Sequence, residues 1–187
     1  METAGRADER KNSGLEELRR VSRKAHDAVD EAFSRFELTD RKSYGAFLTA
    51  HARALVVAEA YLGRYSASVP PWRPRAELLK KDLCDMGLPM PASQRHMLSD
   101  CSGTAFGVLY VLEGSRLGGR ILSGRVGEGL PRAYLSAVHQ KGEWSAFLER
   151  LAQFLDESPV ARRQAVTDGA VAAFALFRDS ARFQFSD

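Results

Sequence analysis

Cysteine is scarce in this 187-residue chain: it has two, Cys84 and Cys101. Two thiols with no CxxC or Cys/His cluster exclude a disulfide framework and a zinc site of ordinary spacing. Charge of one sign is equally lacking. Twenty-seven Lys+Arg stand against 24 Asp+Glu, a formal net charge of +3. That is too mild a balance for a nucleic-acid binder, although it permits a local basic patch for an anionic ligand. No apolar run approaches the length of a membrane span. The opening "METAGRADERKNSG" has no apolar centre and does not read as a secretory signal. The expectation is a cytoplasmic protein without nucleic-acid or membrane partners. Alternating strand patterns, repeats and low-complexity blocks are missing as well.

What is present is helical periodicity. Leu15, Leu18, Ser22, Ala25, Val29, Ala32 or Phe33, and Phe36 recur at three- and four-residue steps and share one face. Ser13 with Glu16 makes a capping-box pattern at the start. Residues 1–14 read as a frayed tail and 15–187 as one domain. A second helix is expected after Thr39-Asp40, running to about Ser66. "SVPPWRPR", Ser68 to Arg75, has three prolines and reads as a connector. A short helix follows, closed by Gly87. Ser93 is a candidate N-cap for a long apolar region over about 94–123, interrupted near "SDCSG". Two further helices complete an all-α domain of six or seven helices.

Two features can carry chemistry. His26 sits at the edge of the first helix's apolar face, with Arg23 and Arg19 three and seven residues before it. A neutral imidazole there can ligate a metal through one nitrogen. On the residues alone, such a histidine is more often structural. His51, His96 and His139 compete with it, and no HExxH pattern or cluster of helical acids accompanies any of them. The second feature is a glycine strip. Gly103, Gly107, Gly114 and Gly118 fall on one face of a continuous helix, with Ser115 and Gly119 beside them. Each glycine costs about 1 kcal/mol of helix propensity relative to alanine. Close helix–helix contact is the reading periodicity favours, and a C-cap at Gly118 is another. The functional reading is a flat ligand lying on bare backbone.

In "LRRVSRKAHDAVDEAF" (Leu18 to Phe33), "YGAFLTAHARAL" (Tyr44 to Leu55), "AELLKKDLCDMGLP" (Ala76 to Pro89) and above all "AFGVLYVLEGSRLGGRIL" (Ala105 to Leu122), the chain resembles the haem oxygenase family. The likeness is to its bacterial biliverdin-producing, bacteriophytochrome-associated branch, and it covers roughly Leu15 to Arg182. The resemblance implies a helical bundle that clamps haem between a proximal helix and a kinked distal helix. It places His26 as the iron ligand. Gly114, Ser115, Gly118 and Gly119 would form the distal, catalytic face, and Arg19 and Arg23 would hold the propionates. Arg150 and Arg178 on later helices are further candidates for that part.

The implied reaction is oxygen-dependent cleavage of haem b, both cofactor and substrate, to biliverdin, CO and iron. An external donor (ferredoxin, flavodoxin or a reductase) would supply electrons, and a bacteriophytochrome would be a possible recipient of the product. The better-known distal pattern "GDLSGG" has an Asp where this chain has Ser115, and that Asp supports a distal water network. Ser115 could hydrogen-bond a water there and Arg116 could reach in, though neither substitutes directly for the Asp, and "EGSxLGG" is the pattern of the implied branch. The alternatives are a haem sensor or carrier of the same fold without turnover, a thiaminase-like or di-iron relative, and a helical partner protein with no ligand.

Overall fold

The computed structural model describes residues 3–93 and 98–185, and six helices make up its regular structure. α1 is Thr3–Phe33, α2 Arg41–Gly63, α3 Ala76–Asp85, α4 Ser102–Ser123, α5 Glu143–Glu157 and α6 Val160–Phe183. Among the described residues there are no strands, and no helix is long and apolar enough to cross a membrane.

Local chemistry sets several boundaries. Asp40 caps α2 by accepting from the Ser43 N–H at 2.7 Å. Gly87 ends α3 at φ +74°, and the Leu88 N–H reaches back to the Leu83 carbonyl at 2.9 Å, closing the turn as only a left-handed residue allows. Cys101 caps α4: its sulfur accepts from the Thr104 N–H at 3.4 Å.

One expectation about a helix start is corrected. α1 runs through Ser13 instead of beginning there, because the preceding "AGRADERKN" has good helix formers and no proline to stop it. α4 begins after Cys101, at the interruption expected near "SDCSG"; the Ser93 N-cap reading falls on residues 94–97, which include His96 and lie outside the described residues. α4 then continues through Gly118 and Gly119 to Ser123, so neither glycine is a C-cap.

Burial concentrates on α2 and α4. Leu48, Leu55 and Leu62, one per two turns of α2, are fully enclosed, and each contributes roughly 1.5–3 kcal/mol of transfer free energy. α6 is the central support: α4, α1 and α2 all pack on it. The α4–α6 contact is backbone against backbone. A Cβ on Gly107 would lie 2.0 Å from the Val166 carbonyl, one on Gly103 2.7 Å from that of Arg162, and one on Gly169 2.5 Å from that of Thr104.

The loop between α4 and α5 is tied down from below. The buried Asp82 carboxylate accepts from the Ala133 and Tyr134 N–H groups at 3.0 and 2.8 Å, and the Tyr44 hydroxyl donates to the Pro131 carbonyl at 2.7 Å. These bonds fix Tyr134 in the interior.

Candidate functional site

A cavity of about 360 Å³ opens between α1 and α4, within the usual range of small-molecule sites, roughly 300–1,000 Å³. α1 contributes His26, Val29, Asp30 and Phe33. α2 contributes Phe47 and His51, and α6 contributes Phe174 and Phe177. Facing them are Tyr110, Gly114, Ser115, Gly118 and Gly119 of α4, with Tyr134, Leu135 and Trp144 closing the side. The lining is mostly apolar and aromatic, so it takes a flat apolar group readily and offers it few polar contacts.

The glycine strip divides into two functions. Gly103 and Gly107 serve the α4–α6 contact. Gly118 has nothing within 4 Å of where its Cβ would stand, and Gly114 has only the edge of Trp144 at 3.7 Å. Both line the cavity, so the space their missing side chains leave opens on it instead of being filled by close backbone packing. Gly119 does both: it lines the cavity, yet a Cβ there would meet the Leu135 carbonyl at 3.0 Å.

His26 stands on the opposite wall, about half exposed. Its Nδ1 faces the Asp30 carboxylate at 3.3 Å, and its ring meets Phe174 edge-on at 5.5 Å. A carboxylate on one imidazole nitrogen orients the ring and raises the basicity of the other. That leaves Nε2 as the nitrogen that could hold a metal.

The polar end of the cavity was not legible in the sequence. Arg75, the last residue of the proline-rich connector, is 3% exposed and lines the cavity. Its Nη2 donates to the Ser115 hydroxyl at 2.7 Å and to the Leu112 carbonyl at 2.9 Å. Ser115 in turn donates to that carbonyl at 2.7 Å. Glu59 holds the connector in place by accepting from the Arg75 and Ala76 N–H groups at 2.7 and 3.0 Å. Arg116, expected as a candidate to reach the distal space, points elsewhere. Its guanidinium pairs with Glu113 at 3.0 Å and donates to the carbonyls of Ala137, at 2.7 Å, and Arg73. It is absent from the cavity wall because α4 turns position 116 toward the connector and the loop before α5.

His51 also lines the cavity. Its Nδ1 lies 2.9 Å from the Tyr134 hydroxyl, and its ring packs 4.4 Å from both Phe33 and Phe47. Burial, and secondarily the charge of Arg75, push it down to about pKa 3, so it is a neutral member of an aromatic box.

Of the basic residues singled out in the sequence, none forms the cavity wall. Arg19 is exposed but reaches Tyr110, which does. Arg23 and Arg150 are exposed on α1 and α5. Arg178 is half-buried, one residue beyond the lining Phe177, and pairs with Asp179 at 2.7 Å.

No protein-family model matches the chain. A haem oxygenase of Xanthomonas campestris pv. campestris (strain 8004) is 32% identical over 148 residues, spanning 74% of this chain and 88% of that protein. The haem oxygenase of Neisseria meningitidis, solved in NO- and CO-bound crystal structures, superposes with a TM-score of 0.77 over 92% of both chains at 23% identity, which establishes a common fold. An all-helical bundle of that shape, together with a relative this similar along most of its length, places the chain in the haem oxygenase family.

Proposed function

We propose that the chain binds haem b in the α1–α4 cavity and cleaves it with O2 and reducing equivalents to biliverdin, CO and iron. The observation that carries the proposal is the pairing of an oriented histidine on one wall with uncovered glycine backbone on the other. When bound, haem supplies the redox chemistry at its iron and is itself the substrate.

The protein's part is binding, orientation and control of water. His26 would hold the iron through Nε2, with the Asp30 carboxylate beside its Nδ1. Val29, Phe33, Phe47, Phe174 and Phe177 enclose the macrocycle in apolar surface. Gly114, Gly118 and Gly119 bring the backbone of α4 close over the other face, and Ser115 stands among them on the catalytic side. Arg23 and Arg19, three and seven residues before His26, would meet the propionates, and Arg178 and Arg150 are further candidates; each pairing would be charge-assisted. The propionate partners set the rotation of the macrocycle and with it the position cleaved.

The "EGSRLGG" pattern (Glu113 to Gly119) supports assignment to the bacteriophytochrome-associated branch. Under that assignment a ferredoxin, flavodoxin or reductase donates electrons and a bacteriophytochrome takes the product, in the cytoplasm. Residues 15–187 would be the haem-binding domain, with 1–14 an appendage to it.

The test is haemin titration followed by turnover. Purified protein should take up one equivalent of haemin with a sharp Soret band, and added reductant should replace that band with bile-pigment absorbance. His26→Ala should lose proximal ligation and regain it with exogenous imidazole. A Soret band that survives reduction in air without pigment would identify a carrier or sensor instead. An unchanged spectrum in His26→Ala would remove His26 from the role.

A further inference from the structure

Arg75 is a buried cation whose guanidinium meets no carboxylate directly among the described residues, although the buried Glu59 lies close enough to act on it electrostatically. Charged groups withdrawn from water are ordinarily paired, because an unpaired one forfeits its hydration with nothing in return. Among the described residues, the side chain of Arg75 forms no ion pair. Both of its described hydrogen bonds leave from Nη2 and end on neutral acceptors, Ser115 and the Leu112 carbonyl. Glu59, the nearest acid in the connector's bonding, is engaged with main-chain N–H groups. The guanidinium is also fixed in orientation, 5.1 Å over the Tyr134 ring and anchored on α4 at Leu112 and Ser115, on either side of Gly114. Three of its donors, on Nε and Nη1, remain for whatever occupies the cavity.

We propose that Arg75 is the distal hydrogen-bond donor of this site. Its guanidinium, held by Ser115 and Leu112 of α4, recognises a small anionic or strongly polar ligand on the iron face opposite His26. The proposal rests on the haem reading above and deepens it. Ser115 is then a positioning residue: its hydroxyl is committed to Leu112 and Arg75 and directs the arginine instead of meeting the ligand itself. The site replaces an acid that accepts from distal water with a cation that donates to the ligand. The nearby polar side chains do not compete for the role. His51 is a neutral ring bonded to Tyr134, and Arg116 is turned away. A propionate is the other anion haem could bring. Arg75, however, sits at the enclosed end of the cavity with Tyr134 and Val111, whereas Leu117 and Gly118 mark its open side.

The experiment uses the ferric haemin complex of the full chain with fluoride, and the ferrous complex with CO. Arg75→Met should weaken fluoride binding by about tenfold or more, the weight of one hydrogen bond to a charged partner. It should also move the CO stretch to higher frequency, because a positive donor near the CO oxygen draws electron density into its antibonding orbitals. Haemin affinity should stay close to wild type. Arg75→Lys should recover part of the fluoride affinity, and Ser115→Ala should give a smaller loss of the same kind. If Arg75→Met misfolds, the Ser115→Ala and Arg75→Lys complexes carry the same comparison.

Unchanged fluoride affinity and CO stretch in haem-loaded variants overturn the proposal and leave the haem reading standing. Lost haemin affinity with normal fluoride binding assigns Arg75 to a propionate and also overturns it. A wild-type chain that takes up no haemin sinks both.

Discussion

His51 shows how a single residue can couple the cavity to pH. Its ring is enclosed by Phe33 and Phe47 and bonded to Tyr134, and burial holds its pKa near 3. An unfolded histidine titrates near 6.5. Between those values the unfolded chain carries the proton and the folded chain does not. Stability is therefore complete above about pH 6.5 and erodes as pH falls toward 3, by on the order of 4 kcal/mol from this group alone. Glu59 and Asp82, whose carboxyls are raised by burial, act in the opposite sense at the acid end and offset part of the loss. His51→Gln keeps a polar group for Tyr134 and removes the titration. Its urea midpoint should fall less between pH 7 and pH 4 than that of wild type. Parallel losses in the two proteins would mean that His51 does not set the acid limb.

At the scale of the helix, Gly107 and Gly118 share a face of α4 and should respond to the same substitution with opposite sign. Gly107→Ala puts a methyl group into the Val166 carbonyl and Ala170 amide of α6, backbone that cannot rotate away. A loss of about 3 kcal/mol or more is expected, at the upper end of overpacking costs. Gly118→Ala meets open space and gains helix propensity, so the apo-protein should be unchanged or up to about 1 kcal/mol more stable. Gly118→Phe should leave the apo melting temperature near wild type and abolish haemin uptake. Thermal melts of the three variants, with haemin titration of the last, separate packing glycines from ligand glycines. A Gly118→Phe chain that binds haemin normally would take α4 out of the cavity wall.

That division also marks the limit of what the sequence could reveal. Periodicity located the strip, Asp40 and Gly87 located helix ends, and a family likeness singled out His26. Which glycines face a helix and which face a void depends on where α6 lies. Arg75 was hidden for a related reason. A proline-rich connector looks solvent-exposed, and only folding brings its last residue under α4, 40 positions away from Ser115. The one local hint was its place immediately before α3, where Glu59 captures the connector's N–H groups. His51 and Tyr134, 83 positions apart, met through the same kind of long-range closure.

In the molecule as a whole, α1 and α4 form the two walls of the cavity, yet each rests mainly on α6 and not on the other. A ligand that touches His26 on one side and the bare backbone of Gly118 on the other therefore adds to the few contacts, such as Arg19 with Tyr110, that join the two walls directly. Binding that favours the folded state raises its stability by about 2.7 kcal/mol when free ligand stands at 100 times Kd. For a chain of this length that corresponds to a rise in Tm of roughly 5–11 °C. Haemin should produce a shift of this order in wild type and one that grows with the logarithm of its free concentration. In His26→Ala the apolar walls remain and the proposed iron ligand is lost, so a smaller shift is expected, enlarged again by imidazole. Protection of amide hydrogens from exchange should rise in α1 and α4 together, because the ligand would join exactly those two walls through one contact surface. A haemin-dependent rise confined to α4 would place the ligand on that helix alone and remove α1 as its proximal support.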